Sequence, residues 1–192
     1  MTENKREAGA ARPILSRAFF KQLLLELPTV KAQIIFWSLA AVGLAMDLWT
    51  KKAIFNWLEN TGYYSILDGY VQFVTTSNPG AAFGMFADMT YMLKVISIIA
   101  LVVILGIFYF SGNRQVLVNI ALGLLTAGIC GNLYDRFFNG GSVRDFIDIS
   151  YGDYHWPAFN IADSLLCIGV GLLLISIFFT PQSSQKHAQQ QK

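Results

Sequence analysis

The chain has 192 residues, of which 54% are hydrophobic and only 14% are charged. Soluble domains carry roughly a quarter charged residues, so this balance excludes an ordinary soluble protein and indicates a polytopic membrane protein. The net charge of +2 is too small to indicate a nucleic-acid partner.

Residues 1–31 form a polar, basic segment that contains six Lys/Arg and three Glu. Within it, residues 12–28 (RPILSRAFFKQLLLELP) have an amphipathic pattern that suits either an anionic membrane surface or a plain solvated extension. We therefore assign residues 1–31 to a cytoplasmic or membrane-surface extension.

Four apolar stretches predict membrane-spanning helices. The first lies between Lys31 and Lys51, and its length favours a retained helix over the short apolar core of a signal peptide. The other three cover residues 95–113, 115–134 and 164–180, each near the roughly 20 residues that a spanning helix needs. The sequence thus predicts a four-helix membrane domain over residues 32–181, followed by a disordered cytoplasmic tail at 182–192.

The distribution of charge orients these helices. Nine of the 14 Lys/Arg lie in the N-terminal arm, the short 111–114 connection and the C-terminal tail, whereas nine of the 12 acidic residues lie between Asp47 and Asp163. The positive-inside rule, which counts only Lys/Arg, places both termini in the cytoplasm and the segments 52–93 and 135–162 outside. The expected fold is a polytopic α-helical membrane protein with four transmembrane helices in an N-in/C-in arrangement.

The two outer segments differ in composition. Residues 62–76 (GYYSILDGYVQFVTT) are rich in Tyr, Val, Phe and Thr and partly alternate, which predicts a small β-rich segment on the outer face. Residues 137–158 mix aromatic residues with Gly and Asp, and we expect a loop whose rings lie at the level of the lipid headgroups. Both segments could cover a site and exclude bulk water.

The cysteines and histidines do not predict a metal site or a cofactor. Cys130 and Cys167 lie inside apolar segments, which favours buried free thiols over a disulfide. Neither has the Cys/His spacing of a metal site, and His155 and His187 have no such partners nearby in the sequence.

Asp145 and Asp163 lie at the edges of long apolar segments, where an ionised carboxylate is costly and functional candidates are common. When two carboxylates share a site, repulsion raises one pKa, so one is protonated while its partner stays ionised. The protonated group can polarise a carbonyl, and the ionised group can take a proton from water. This pattern is compatible with peptide hydrolysis that uses no metal and no nucleophilic side chain.

The residues alone leave alternatives open. Asp163, three positions after Asn160, could instead cap the fourth helix. Asp145 could be a solvated acid beside Arg144, and Asp148 and Asp153 are similar acids. A carboxylate-gated transporter, which predicts acids near the bilayer centre, and a non-catalytic scaffold also remain possible.

Other polar residues have physical roles near the predicted outer edge. Asp47 and Lys51 are four positions apart on the first helix and can form an ion pair. Asn78, just before Pro79-Gly80, predicts a turn and offers an amide to a substrate backbone. Gly80 would let a peptide approach closely, although a simple tight turn is the alternative.

The ends of the third and fourth helices carry a second set of polar residues. Asn132, Asp135 and Arg136 end the third helix, where an Asp135/Arg136 charge network or a substrate contact by Arg136 is expected. Asn160 could cap the fourth helix or orient the aspartates by hydrogen bonding.

Four segments resemble, in the same order, the lipoprotein signal peptidase family, the type II signal peptidases of bacteria. They are DLWTK (47–51), NPGAAFGMF (78–86), GNLYDRFFNGGSVRDFID (131–148) and FNIAD (159–163). By motif, the resemblance assigns the catalytic pair to Asp145 and Asp163 and separates Asp145 from Asp148. Arg144 falls at a position that varies in the family pattern.

The resemblance implies an aspartyl endopeptidase of the bacterial cytoplasmic (inner) membrane with its active site near the outer, periplasmic face. Such an enzyme cuts prolipoproteins on the N-terminal side of a diacylglyceryl-modified cysteine and releases the signal peptide. The implied partners are diacylglyceryl prolipoproteins and membrane lipids, with no cofactor and a monomeric state. The cyclic peptide globomycin inhibits these peptidases as a class.

Overall fold

The computed structural model describes residues 27–81, 85–87, 89–110, 115–152 and 154–179. The predictions for the basic arm before residue 27 and for the tail after residue 179 lie outside the described residues. The four helices are α1 (Val30–Trp57), α2 (Thr90–Phe110), α3 (Val116–Phe138) and α4 (Ile161–Phe179). Each is long and apolar enough to cross a membrane.

The helices extend farther at one end of the bundle than the apolar runs predict. Helix α1 continues past Lys51 to Trp57, and α3 continues past Tyr134 to Phe138. Several polar residues at this end are buried inside the protein: Asp47, Lys51, Asn132, Asp135 and Arg136. A hydropathy pattern predicts that a helix ends at such polar residues. Here the helices continue through them, because the buried polar side chains pair with one another.

Helix α3 is the central helix, and it packs against α1, α2 and α4. Small residues allow these close crossings, as is usual for helices in membranes. A Cβ atom on Gly43 would lie 2.8 Å from the Cβ of Ala127, and one on Gly128 would lie 2.6 Å from the carbonyl oxygen of Ala162. At the opposite end from the polar residues, Phe36 stacks on Phe108 with ring centroids 4.0 Å apart.

The strands β1 (Tyr63–Leu67) and β2 (Val71–Asn78) follow α1, and the strands β3 (Val143–Tyr151) and β4 (Tyr154–Phe159) follow α3. They form one antiparallel sheet in the order β1-β2-β3-β4. The strand prediction for residues 62–76 is confirmed, whereas the expectation of a loop over 137–158 was wrong. Buried positions of β3 carry Asp145 and Asp148, so its sequence lacks the usual alternation of apolar buried and polar exposed residues.

The sheet lies at the end of the bundle where the polar helix residues are buried. Helix α1 contacts β2 and β3, and α3 contacts β3. In the β2–β3 register, Asn78 pairs with Val143, and Thr76 pairs with Asp145. This register places the end of β2 beside the start of β3, above the last turn of α3.

Candidate active site

Asp145 projects from β3 into the junction between the sheet and the helices. Its side chain is nearly inaccessible, with 2% of the residue exposed. Asn78 donates its amide N–H to Oδ2 of Asp145 at 3.1 Å, and Asn160 donates to Oδ1 at 2.6 Å. The carboxyl group is thus held from both sides by amides.

Asp163 lies in the first turn of α4 and caps it together with Asn160. The backbone N–H of Asp163 donates to Oδ1 of Asn160 at 3.0 Å, and the backbone N–H of Asn160 donates to Oδ2 of Asp163 at 3.1 Å. This reciprocal pair is a capping box, and the acid also suits the positive end of the helix. The helix-cap interpretation of Asp163 is therefore confirmed, although it leaves Oδ1 available for another partner.

Two asparagines connect the two carboxyl groups. Asn132 of α3 donates to Oδ1 of Asp163 at 2.7 Å. Asn160, which donates to Asp145, also donates to the amide oxygen of Asn132 at 3.2 Å. The structure thus brings Asp145 and Asp163, 18 positions apart in the sequence, to one site through a pair of side-chain amides.

The protonation of Asp145 follows from this environment. Burial and, next, the nearby charge of Asp163 raise the pKa of Asp145 to about 6. The hydrogen bonds from Asn78 and Asn160 act in the opposite direction but are outweighed. Asp145 therefore keeps its proton at a higher pH than an ordinary aspartate does.

A buried ion network lies beneath the two carboxyl groups. Lys51 is fully buried, and its Nζ lies 2.7 Å from Oδ2 of Asp47 and 3.4 Å from Oδ2 of Asp135. The other oxygen of Asp47 accepts the backbone N–H of Ala162 at 2.9 Å, in the first turn of α4. The pair predicted from the spacing of Asp47 and Lys51 is present, and it ties α1 to α3 and α4.

Asp135 forms an ion pair with Arg144 of β3. The guanidinium of Arg144 lies 2.6 Å from Oδ1 of Asp135, and the backbone N–H of Arg144 donates to Oδ2 at 2.9 Å. Asp135 thus lies in a charge network, as expected, but its ion-pair partners are Arg144 and Lys51, because β3 folds back onto the last turn of α3. For the same reason Arg144 is a partner of a buried acid rather than a solvated neighbour of Asp145.

Arg136 and Asn78 hold the turn that follows β2. Arg136 donates to the carbonyl oxygen of Gly80 at 3.0 Å, and the backbone N–H of Gly80 donates to Oδ1 of Asn78 at 2.9 Å. The predicted turn is present, but the amide nitrogen of Asn78 bonds to Asp145 and to the carbonyl of Ala81. The buried Nε of Arg136 has no hydrogen-bond partner among the described residues.

A cavity of about 580 Å³ opens beside the two carboxyl groups. One end is polar and includes both aspartates, and the walls are largely apolar and come from α2, α3, α4 and β4. The polar lining residues are Asn78, Ser97, Asn132, Arg136, Asp145, Asp163 and Ser164, and the apolar walls include Leu93, Ile96, Ile129, Leu166 and residues 156–159. Such a site can hold an apolar ligand with its polar end at the carboxyl groups.

The other acids and the cysteines lie differently. Asp148 accepts a hydrogen bond from Gln72 at 2.5 Å and does not line the cavity, and Asp153 lies outside the described residues. Both cysteines are free thiols, but Cys167 is exposed on the face of α4 that borders the cavity, so its predicted burial was wrong. Among the described residues, no group of three or more His, Cys, Asp or Glu side chains is placed to hold a metal ion.

Comparison with known proteins matches this architecture to one family. A family model described as signal peptidase (SPase) II matches residues 39–179. A lipoprotein signal peptidase of Rhodopirellula baltica is 41% identical over 159 residues, which are 75% of this chain and 71% of that protein. One of Bacillus pumilus is 35% identical over 154 residues, which are 79% of this chain and 97% of that protein.

Solved structures agree with the sequence matches. A structure described as a bacterial membrane enzyme, obtained by the in meso method at 2.3 Å resolution, superposes with a TM-score of 0.69. It is 27% identical, and the match covers 83% of this chain and 95% of that one. A second such structure, at 1.9 Å resolution, has a TM-score of 0.63 and is 28% identical, with coverage of 81% of this chain and 97% of that one.

Proposed function

The chain belongs to the signal peptidase II family, and on that premise we propose that it is a membrane-embedded aspartyl endopeptidase that processes prolipoproteins. Its substrates are precursors that carry a diacylglyceryl group on a cysteine. It cuts on the N-terminal side of that cysteine and releases the signal peptide. The relatives named lipoprotein signal peptidase support this substrate class.

The observation that carries the proposal is the placement of Asp145 and Asp163 at the polar end of one cavity. Both side chains line it, and Asn132 and Asn160 connect them. Amide donors to both carboxyl groups fix their positions while leaving them open to the cavity. A transporter that uses carboxylates would favour acids near the bilayer centre, whereas Asp145 lies on a strand and Asp163 in the first turn of a helix.

We assign the shared proton of the free enzyme to Asp145, since burial and the charge of Asp163 raise its pKa to about 6. Asp163 then acts as the base. It takes a proton from water as the water oxygen adds to the scissile carbonyl carbon, and Asp145 gives its proton to the carbonyl oxygen. When the intermediate collapses, Asp163 protonates the leaving nitrogen, the C–N bond breaks, and Asp145 recovers a proton from the second hydroxyl.

The apolar walls of the cavity are consistent with a substrate that carries acyl chains. Leu93 and Ile96 of α2 face Leu166 of α4 across the cavity, so acyl chains and the end of a signal helix can remain among apolar side chains. The scissile bond then lies at the polar end. Holding the substrate in the plane of the membrane supplies both orientation and local concentration.

The charge distribution supports a location in the bacterial cytoplasmic membrane with both termini inside and the active site near the outer face. The N-terminal arm, the connection with Arg114 and the tail hold most of the Lys/Arg. The sheet and the dyad lie beside the C-terminal end of α3, opposite the end at Val116. Water reaches the carboxyl groups from the outer side, and the sheet covers them from bulk solvent. The proposed enzyme acts as a monomer.

Cleavage of a diacylglyceryl prolipoprotein by the purified protein in detergent tests this function. Asp145→Asn and Asp163→Asn should each abolish cleavage while the protein stays folded. Asp148→Asn is the matched control, because this acid lies three positions from Asp145 but outside the cavity, and it should retain cleavage. Activity in either dyad variant would refute the dyad, and insensitivity of the wild type to globomycin would argue against the family function.

A further inference from the structure

Asn132 lies between the buried cation and the dyad. Its amide oxygen accepts a hydrogen bond from Nζ of Lys51 at 3.1 Å, and its amide nitrogen donates to Oδ1 of Asp163 at 2.7 Å. An ammonium group has only donors, so the oxygen of the amide is the end that can face Lys51. The position of Lys51 therefore determines that the nitrogen faces Asp163.

Lys51 has no freedom to leave this position. It is fully buried, and two acids of different helices hold it, with Nζ 2.7 Å from Oδ2 of Asp47 and 3.4 Å from Oδ2 of Asp135. The amide oxygen of Asn132 is its third oxygen partner. The contacts to Asp47 and Asn132 are hydrogen bonds that the ammonium donates, and the contact to Asp135 is an ion pair.

The remaining support for Asn132 is weaker. Asn160 also donates to the amide oxygen of Asn132, at 3.2 Å. The side-chain nitrogen of Asn160 also lies 2.6 Å from Oδ1 of Asp145 and 3.3 Å from the carbonyl oxygen of Arg144. Its two hydrogens are thus shared among three acceptors. Without Lys51, no cation faces the amide oxygen of Asn132, and the observed orientation rests on the acceptor at Asp163 and the shared donor of Asn160.

We propose that Lys51 is a positioning residue for the peptidase reaction, acting through the amide of Asn132. A rotated amide would place its oxygen against the carboxylate of Asp163, remove a donor from the proposed base and repel it. Lys51 prevents this and keeps Asp163 aimed into the cavity. The inference rests on the proposed function, and it adds to the plain structural role of a buried ion pair.

The test measures kcat and KM for Lys51→Met with a diacylglyceryl prolipoprotein. We expect kcat to fall about tenfold or more with KM within about twofold, because Lys51 does not line the cavity and orientation acts on the chemical step. This variant leaves Asp47 without its cation and lowers thermal stability as well. Stability and orientation are therefore separated by a second variant.

The second variant is Lys51→Met combined with Asp47→Asn. The neutral amide removes the unpaired charge and can still accept the backbone N–H of Ala162, so the melting temperature should recover toward that of the wild type. If Lys51 positions Asn132, kcat stays low in this double variant. If Lys51 only neutralises Asp47, kcat recovers together with stability, and that result would overturn the inference.

A double-mutant cycle with Asn132→Ala identifies the route. Once the amide is gone, adding Lys51→Met should lower kcat by less than about threefold, because the two residues act in series. Additive losses would contradict action through Asn132. Asp145→Asn is measured in parallel as a test of the dyad itself. If this variant cleaves substrate, the proposed dyad is wrong. If it is inactive while Lys51→Met/Asp47→Asn is fully active, only the positioning role of Lys51 is refuted.

Discussion

The guanidinium of Arg144 lies 2.6 Å from Oδ1 of Asp135, so the residue before Asp145 is anchored to the last turn of α3. Because the backbone N–H of Arg144 donates to the same carboxylate, both the side chain and the main chain at this position are held. The start of β3, and with it Asp145, is thereby fixed relative to the helix that carries Asn132.

Replacing this arginine should loosen the start of β3. For Arg144→Leu we expect a loss of about 1–3 kcal/mol of stability, because Asp135 is fully buried and loses a charged donor. Cleavage should fall as well, since Asp145 becomes less well placed. Thermal unfolding in detergent and kcat measure the two effects. The control is Lys52→Leu, at an exposed lysine of α1, which should change neither the melting temperature nor kcat. Wild-type values of both for Arg144→Leu would contradict the anchoring role.

Asn160 has two separable roles, as a helix cap and as a link between the aspartates. In Asn160→Ser the hydroxyl can still cap α4, whereas Asn160→Ala cannot, so the serine variant should be more stable by about 1 kcal/mol. Alanine has no donor, and the serine hydroxyl is one bond shorter than the amide nitrogen that reaches Asp145, so both variants should lose cleavage. Melting temperatures and kcat distinguish the roles. Cleavage near the wild-type rate in Asn160→Ser would show that capping alone matters.

The raised pKa of Asp145, about 6, predicts how stability depends on pH. Folding favours the protonated form, so this group stabilises the protein below its unfolded pKa of about 3.9, and the contribution is lost as the pH rises through 6. Ionised Asp145 in its buried position then costs on the order of 2–3 kcal/mol. Asp145→Asn should therefore be more stable than the wild type at pH 8 and should lose this advantage toward pH 4. A difference in melting temperature between the two proteins that stays constant from pH 4 to pH 8 would contradict the raised pKa.

The same pKa predicts the pH dependence of catalysis. If protonated Asp145 donates to the scissile carbonyl, kcat/KM should fall as the pH rises above about 6, because the free enzyme loses that proton. A pH–rate profile of the wild type measures this directly. A rate that rises steadily from pH 6 to pH 8 would instead assign the role of acid to Asp163.

A single methyl group on α3 should disturb the ion network. A Cβ atom on Gly131 would overlap Oδ2 of Asp47, the oxygen that pairs with Lys51. We expect Gly131→Ala to cost about 1–3 kcal/mol and to lower cleavage. Gly106→Ala on α2 is the matched control, since among the described residues no atom beyond its own stretch of helix lies within 4 Å of the added Cβ. This variant should be neutral or stabilising by up to about 1 kcal/mol. Equal melting temperatures for the two variants would contradict the predicted overlap.

The apolar runs were sufficient to predict four helices, because membrane-spanning length is a local property of the sequence. They ended too early at the site because buried polar residues such as Lys51 and Asp135 interrupt the hydropathy pattern while remaining inside the helices. The composition of residues 62–76 predicted half of the sheet, and the acids buried in β3 concealed the other half. Local patterns therefore identify elements, and they mislead where polar residues face inward.

The pairings inside the site could not be derived from local patterns. Lys51 and Asn132 are 81 positions apart, and their contact depends on the crossing of α1 and α3. The sequence predicted a charge network around Asp135 and Arg136, but the ion pair of Asp135 with Arg144 depends on the return of β3 to the end of α3. The resemblance to a family selected Asp145 over Asp148, which composition could not do. In the structure the two acids differ in their hydrogen-bond partners and in their access to the cavity.

Strand β4 ends at Phe159 and helix α4 begins at Ile161, so Asn160 alone joins the sheet to the helix. No linker separates the two elements, and the residue at their junction contacts both Asp145 and Asp163. Helix α2 instead packs mainly on α3, and it forms one wall of the cavity. The two aspartates of the proposed dyad thus belong to elements joined through one residue, whereas the cavity wall formed by α2 is held mainly by its packing on α3.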